Sequence, residues 1–284
     1  TVEYKLSYAE KEDGTPLNDL FKKGNYRHPL VNEINFEQVP SLAMTKYLHT
    51  FSTREDIKDR FAEYIKAVKE DKAKLNTTTA SVYDAYKTAT RGVSNEASEV
   101  VSSKIVDNAT VGVEMNAIVI LDTSGSMNNT WGRNIGKGSL LEKAMSIAYA
   151  LSIKSTYAPN QVISFSSNPQ LMTIKGDTME EKYMSMFTGD CSNTDFGKVM
   201  KLLQGLSKYP EYLIVLSDME FDYGSNQSKK ETMRIFKQYG AETKIIWWNL
   251  NDRNKTVPEF DEYGNIYLSG YNLQILKLLE NGFD

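Results

Sequence analysis

Along the first third of the chain, apolar residues recur at helical spacing. Thr53 is followed three positions on by Asp56, an N-capping pair, and Ile57, Phe61, Tyr64, Ile65 and Val68 then repeat every three or four residues. This predicts a helix over residues 53–70. Pro40 to Phe51 predicts another, with Leu42, Ala43, Tyr47 and Leu48 apolar and Ser41 as the cap after Pro40. Weaker helical patterns run over 78–90 and 94–107, the second carrying Ala97, Val100, Val101, Ile105 and Val106. Residues 8–29 hold Gly14, Pro16, Gly24 and Pro29 and read as loop.

From about residue 111 short apolar runs alternate with amphipathic stretches. The pattern predicts strands over 115–121, 161–166, 171–174, 212–217, 243–249 and 265–269. Helices are predicted over 139–154, 179–186, 195–206, 227–239 and 271–281. Such alternation implies βαβ units and a mostly parallel sheet, with right-handed crossovers placing helices on both faces. Residues 161–174 read as an antiparallel hairpin around Ser166-Ser167-Asn168-Pro169. The expected fold is α/β: a doubly wound, mostly parallel sheet with one antiparallel edge strand, preceded by a mainly helical segment. Residues 1–110 would form that segment, packed on or flanking an α/β domain of residues 111–284.

The densest chemistry lies at 117–127. The buried run Ala117 to Leu121 stops at Asp122-Thr123-Ser124-Gly125-Ser126. A carboxylate and two hydroxyls, spaced by two, then occupy a tight loop at the carboxyl end of a strand, where open α/β sheets bind ligands. An all-oxygen donor set suits a hard divalent cation such as Mg²⁺, with Mn²⁺ or Ca²⁺ as substitutes, rather than zinc. Taken alone, the segment also fits an ordinary strand-to-helix turn whose Ser and Asp cap backbone N–H groups.

Asp-x-Ser-x-Ser after a hydrophobic strand resembles the first loop of the metal-ion-dependent adhesion site of von Willebrand factor A domains. That resemblance implies a Thr and an Asp on two later loops. Thr194 fits in Cys191-Ser192-Asn193-Thr194-Asp195, and Asp218 follows the apolar run Tyr212 to Ser217. Thr194 also reads as a plain N-cap, with Ser192 competing for its role, and Asp218 also reads as a cap. By resemblance, the Ser124 and Ser126 hydroxyls ligate directly, Thr194 directly or through water, and Asp122 and Asp218 through waters. One position would stay open for the Asp or Glu of a protein partner. Asn128 and Trp131, in the loop that follows, would be partner contacts. The strings Leu216-Ser217-Asp218-Met219-Glu220-Phe221-Asp222, Ile245-Ile246-Trp247-Trp248-Asn249-Leu250 and Val39-Pro40-Ser41-Leu42-Ala43-Met44 are similar to the Ro (TROVE-type) ribonucleoproteins. This branch implies RNA binding, although about 110 residues ahead of the A domain are too few for the family's ring of helical repeats.

Composition narrows the field. A net charge of −4 argues against binding nucleic acid by bulk electrostatics. Neither part departs from this: residues 1–110 hold 16 basic and 17 acidic side chains, the rest 17 and 20. No run approaches the roughly 20 apolar residues of a membrane span. One cysteine, Cys191, rules out an internal disulfide and fits a reducing, cytoplasmic setting, with a viral particle or other assembly as the alternative.

The chain does not read as an enzyme. Haloacid-dehalogenase-like phosphatases also place an Asp after a strand, but need a second where this chain has Ser124. A Ser-His-Asp arrangement needs a histidine, and His28 and His49 both lie in the N-terminal segment. The expected function is non-catalytic, Mg²⁺-dependent capture of an acidic group on a protein partner. The alternatives are Ro-like RNA binding and a structural part in a larger assembly.

Overall fold

The computed structural model, which describes residues 34–92, 95–128, 135–192, 196–205, 208–219, 242–251, 259–260, 264–271 and 273, divides the chain into two units, Thr1–Asn108 and Ala109–Asp284.

In the first unit the described helices are α1 (Ser41–Thr53), α2 (Lys58–Lys69), α3 (Val82–Arg91) and α4 (Glu96–Ala109). Helices α1 and α2 meet at an aromatic cluster. The ring of Phe36 lies 5.5 Å from Phe51, 5.1 Å from Phe61 and 5.3 Å from Tyr64, spacings at which rings attract beyond their buried area. The stripe Ile57, Phe61, Ile65 and Val68 is buried as its period predicts.

The caps differ from the expectation. Thr53 ends α1, its hydroxyl donating to the His49 carbonyl at 2.8 Å, and Asp56 pairs with Arg54 at 2.8 Å. Both groups of the expected cap are thereby taken. Helix α2 starts instead after the buried Ile57, with no side-chain cap. Pro40, not Ser41, is the N-cap of α1, and the Ser41 hydroxyl bonds that of Thr79 at 2.7 Å. A full capping box opens α3: Asp84 N–H donates to Ser81 Oγ at 3.2 Å and Ser81 N–H to Asp84 Oδ2 at 2.9 Å.

The second unit carries β1 (Ala117–Asp122), α5 (Leu140–Ser152), β2 (Gln161–Phe165), β3 (Gln170–Thr173), α6 (Met179–Met184) and α7 (Phe196–Gln204). Then come β4 (Tyr212–Ser217), β5 (Lys244–Asn249), β6 (Glu259–Phe260) and β7 (Ile266–Ser269). The strands form one sheet in the order β3-β2-β1-β4-β5-β7-β6. Pairings β1–β2, β1–β4, β4–β5 and β5–β7 are parallel and β2–β3 is antiparallel, the doubly wound α/β fold the alternation predicts. The two-residue β6 adds a second antiparallel edge, too short to leave a periodic signal. The expected helix over 227–239 lies outside the described residues, as does that over 271–281 except for Tyr271 and Leu273.

Side-chain alternation separates the two faces. Ile118, Ile120, Leu213, Val215, Ile245 and Trp247 join one core with Phe165, Phe196 and Val199. The next residue along, Trp248, is fully buried, and its indole N–H donates to the Gly270 carbonyl at 2.7 Å. Both tryptophans are therefore core. Among the described residues no helix is long and apolar enough to cross a membrane.

Strand β1 has β2 on one side and β4 on the other, so the chain winds away from it in both directions. The carboxyl ends of β1 and β4 form the switch point where such sheets open a crevice. Asp122 ends β1 and Asp218 follows β4 directly.

Candidate functional site

Backbone pairing brings the first and third loops together. Leu121 pairs with Leu216, so Asp122 comes beside Ser217. The Ser217 hydroxyl donates to Asp122 Oδ2 at 2.6 Å, and the Ser124 N–H donates to Oδ1 at 2.9 Å. The Ser124 and Ser126 hydroxyls lie 3.1 Å apart. The turn off β1 is set by Thr123, whose N–H and hydroxyl both donate to the Phe165 carbonyl, at 2.9 and 3.1 Å.

Asp122 is fully buried and Asp218 is 5% exposed. Burial pushes the Asp122 carboxyl up from its ordinary value to about 6. Hydrogen bonds from Ser217 and Ser124 offset part of that, and the charge of Asp218 adds to the rise. Among the described residues, none of the groups that set its acidity is a cation. Two carboxylates at a buried strand end, surrounded by hydroxyls and N–H groups, make a locus where positive charge is favourable.

The third loop holds backbone strain. Met219 has φ +65°, a left-handed conformation unusual for a residue with a long side chain. Its N–H donates at 3.0 Å to Ser217 Oγ, the same atom that donates to Asp122. Ser217 thus joins the strained turn to the buried carboxylate.

The second loop approaches the first at Cys191. A Cβ added to Gly125 would stand 3.2 Å from the Cys191 carbonyl oxygen, a contact tight enough that the two loops would have to part by a few tenths of an ångström. The Asn128 amide reaches Cys191 Sγ at 3.8 Å. Asp190 ties this loop to the β2–β3 turn: Oδ2 accepts from the Ser166 hydroxyl at 2.6 Å, and Oδ1 from the Ser192 N–H at 3.0 Å and hydroxyl at 2.5 Å. The hydrogen bond from Ser166, then that from Ser192, holds the Asp190 carboxyl below the ordinary carboxylate value. Ser192 Oγ also accepts the Ser167 N–H at 3.2 Å, which commits the residue that competes with Thr194.

Of the expected site residues, Asp122, Ser124, Ser126 and Asp218 come together. Thr194 and Trp131 lie outside the described residues. Asn128, expected on the partner face, is 4% exposed and accepts the Gly136 N–H at 2.8 Å, so its side chain is turned inward. His49 is exposed on α1 in the other unit, and His28 lies outside the described residues.

The donors are hard oxygens. Among the described residues no three His, Cys, Asp or Glu side chains gather to hold a metal. The set fits a cation that tolerates neutral hydroxyl and water ligands and needs few carboxylates, as Mg²⁺ and Mn²⁺ do.

Comparison with known proteins adds three findings. The sequence model of a family described as "Domain of unknown function (DUF7788)" matches residues 116–283. No curated protein matches. The crystal structure of the Deinococcus radiodurans RO (RSR) protein is similar at 15% identity with a TM-score of 0.49, over 90% of this chain and 56% of that one. The chain therefore spans little more than half the length of that protein.

Proposed function

Since the chain belongs to the family described as domain of unknown function (DUF7788), a description that assigns no chemistry, we propose a function from the site itself: divalent-cation-dependent, non-catalytic binding. The observation that carries this reading is the pair Asp122 and Asp218 at the switch point, with Asp122 fully buried among hydroxyls and N–H groups and, among the described residues, no cation in the groups that set its acidity. A carboxylate left charged there is costly, and a bound cation removes that cost.

In this reading Ser124 and Ser126 present hydroxyl oxygens to the cation, while Asp122 and Asp218 supply charge behind them. Ser217 and the Ser124 N–H hold the Asp122 carboxylate in one orientation. Asp190 and Gly125 set how closely the second loop approaches, and Thr194 on that loop completes the set. When bound, Mg²⁺ supplies an electrophilic position that an acidic side chain of a protein partner can fill.

Mn²⁺ titration of the purified chain by calorimetry, beside the Asp122→Ala variant, tests the reading. The wild type should bind one ion. The variant should lose binding while keeping its circular dichroism spectrum. A variant that binds Mn²⁺ with unaltered affinity would overturn the assignment. The same preparation tests the RNA alternative, which requires salt-steep binding of a structured RNA.

A further inference from the structure

The third loop is tied down from two directions, and both ties meet at Met219. Its backbone stands at φ +65°, a conformation that glycine adopts freely and that a residue with a Cβ adopts at a cost. Glycine would suit the position, yet the chain carries methionine. The Met219 side chain is partly buried and packs against the core cluster that includes Phe165, Phe196 and Trp247. A long, unbranched thioether fills irregular space in such a core. Packing of the side chain thus offsets the cost of the turn.

The same cluster contains Phe196, the first residue of α7 and two positions after Thr194. Phe196 is buried, its ring 5.9 Å from Phe165 and 5.1 Å from Trp247. One apolar core therefore anchors both the residue that follows Asp218 and the helix that follows the second loop.

The backbone of Met219 carries the other tie. Its N–H can only donate, so at the 3.0 Å contact Ser217 Oγ accepts. The single hydroxyl hydrogen of Ser217 is then free for Asp122 Oδ2, 2.6 Å away. Donors run in one direction, from the Met219 N–H through the Ser217 hydroxyl to the Asp122 carboxylate, and the bonds of such a chain strengthen one another. A return of Met219 to negative φ would turn the peptide that bears this N–H against the rest of the residue. Either the packed side chain or the N–H bond would then have to give way.

We propose that Met219 and Ser217 are positioning residues of the cation site: the core holds Met219 in its left-handed turn, and the turn, through the Ser217 hydroxyl, fixes Asp122 and the backbone of Asp218 relative to each other. The inference rests on the cation reading and adds to it the device that sets the site's geometry.

Mn²⁺ calorimetry on the full chain and on Met219→Ala, Met219→Gly and Ser217→Ala tests this. Met219→Ala keeps the Cβ that makes the turn costly and loses the anchor, so affinity should fall about fivefold or more. Met219→Gly also loses the anchor but enters the turn freely, and should stay within about threefold of the wild type. A residue that merely fills the core would give the reverse order or no difference, since alanine leaves the smaller gap. Ser217→Ala removes a hydrogen bond to a charged group and should weaken binding about tenfold. In EDTA, hydrogen exchange at the residue 219 amide should quicken about tenfold in that variant. Circular dichroism checks the fold of each variant, and if Ser217→Ala does not fold, the two Met219 variants decide. Wild-type binding that Asp122→Ala abolishes, with Met219→Ala and Met219→Gly equal or reversed in affinity, would overturn this inference and leave the cation reading standing. So would an unaltered affinity or exchange rate in a folded Ser217→Ala. No Mn²⁺ binding by the wild type would overturn both.

Discussion

Replacing Asp122 by Asn isolates the electrostatic cost of the site. In the folded chain the Asp122 carboxyl titrates at about 6 instead of its ordinary 3.8, chiefly because it is buried. At about 1.36 kcal/mol per tenfold change in acidity, keeping it ionised costs the metal-free fold about 3 kcal/mol at pH 8. Asn is isosteric and neutral. Its carbonyl can accept the Ser124 N–H, and its amide can donate to the Ser217 hydroxyl, which already accepts from Met219. In EDTA at pH 8 the variant should therefore melt higher than the wild type, by about 5–10 °C for a unit of this size.

The sign of the pH dependence follows from the raised value. Between about 6 and 3.8 the folded state holds a proton that the unfolded state releases, so wild-type stability rises as pH falls through that window. The advantage of the variant should shrink over the same window and vanish below it. Saturating Mg²⁺ should reverse the comparison at pH 8. A ligand at 1,000 times its Kd adds about 4.1 kcal/mol to a chain that binds it and nothing to one that does not, more than the cost of about 3 kcal/mol. Differential scanning calorimetry at pH 4, 6 and 8, with EDTA or Mg²⁺, reads all of this. The reasoning is refuted if Asp122→Asn melts below the wild type in EDTA at pH 8, or if Mg²⁺ raises both equally.

Two further substitutions probe the loop contact at the cation site and the cap of helix α3. Gly125→Ala must push the Cys191 carbonyl away by a few tenths of an ångström, so Mn²⁺ affinity should fall while the melting temperature changes little; unchanged affinity would show that the two loops need not touch. Ser81→Ala removes the capping box of α3 and should lower stability by about 1 kcal/mol in urea denaturation. A loss below ~0.3 kcal/mol would mean that Asp84 alone satisfies the helix end.

The runs Ala117–Asp122, Tyr212–Ser217 and Lys244–Asn249 were legible as strands because each is nearly continuous in apolar residues and ends on a polar one. That is the signature of strands buried on both faces. Their interleaving with amphipathic segments was enough to imply a parallel, doubly wound sheet, and the Asp-x-Ser-x-Ser string was enough to point to its carboxyl end. Where the signal was local but ambiguous, tertiary contacts decided. Thr53 and Asp56 spell a cap in sequence, yet Asp56 is drawn to Arg54 and the chain buries Ile57 instead. Asn128 follows the motif and reads as a surface contact, yet its amide is consumed by Gly136 and Cys191.

The residues of the cation site divide in the same way. Asp122, Ser124 and Ser126 sit within five residues, so one strand and one turn suffice to gather them. Ser217, Asp190 and Met219 take part only because parallel pairing and loop packing bring distant segments together, and no periodicity encodes such an encounter. Sequence determined this protein's elements and their order, because burial acts residue by residue along the chain. Structure decided which polar groups face one another, because that depends on contacts between residues far apart in sequence.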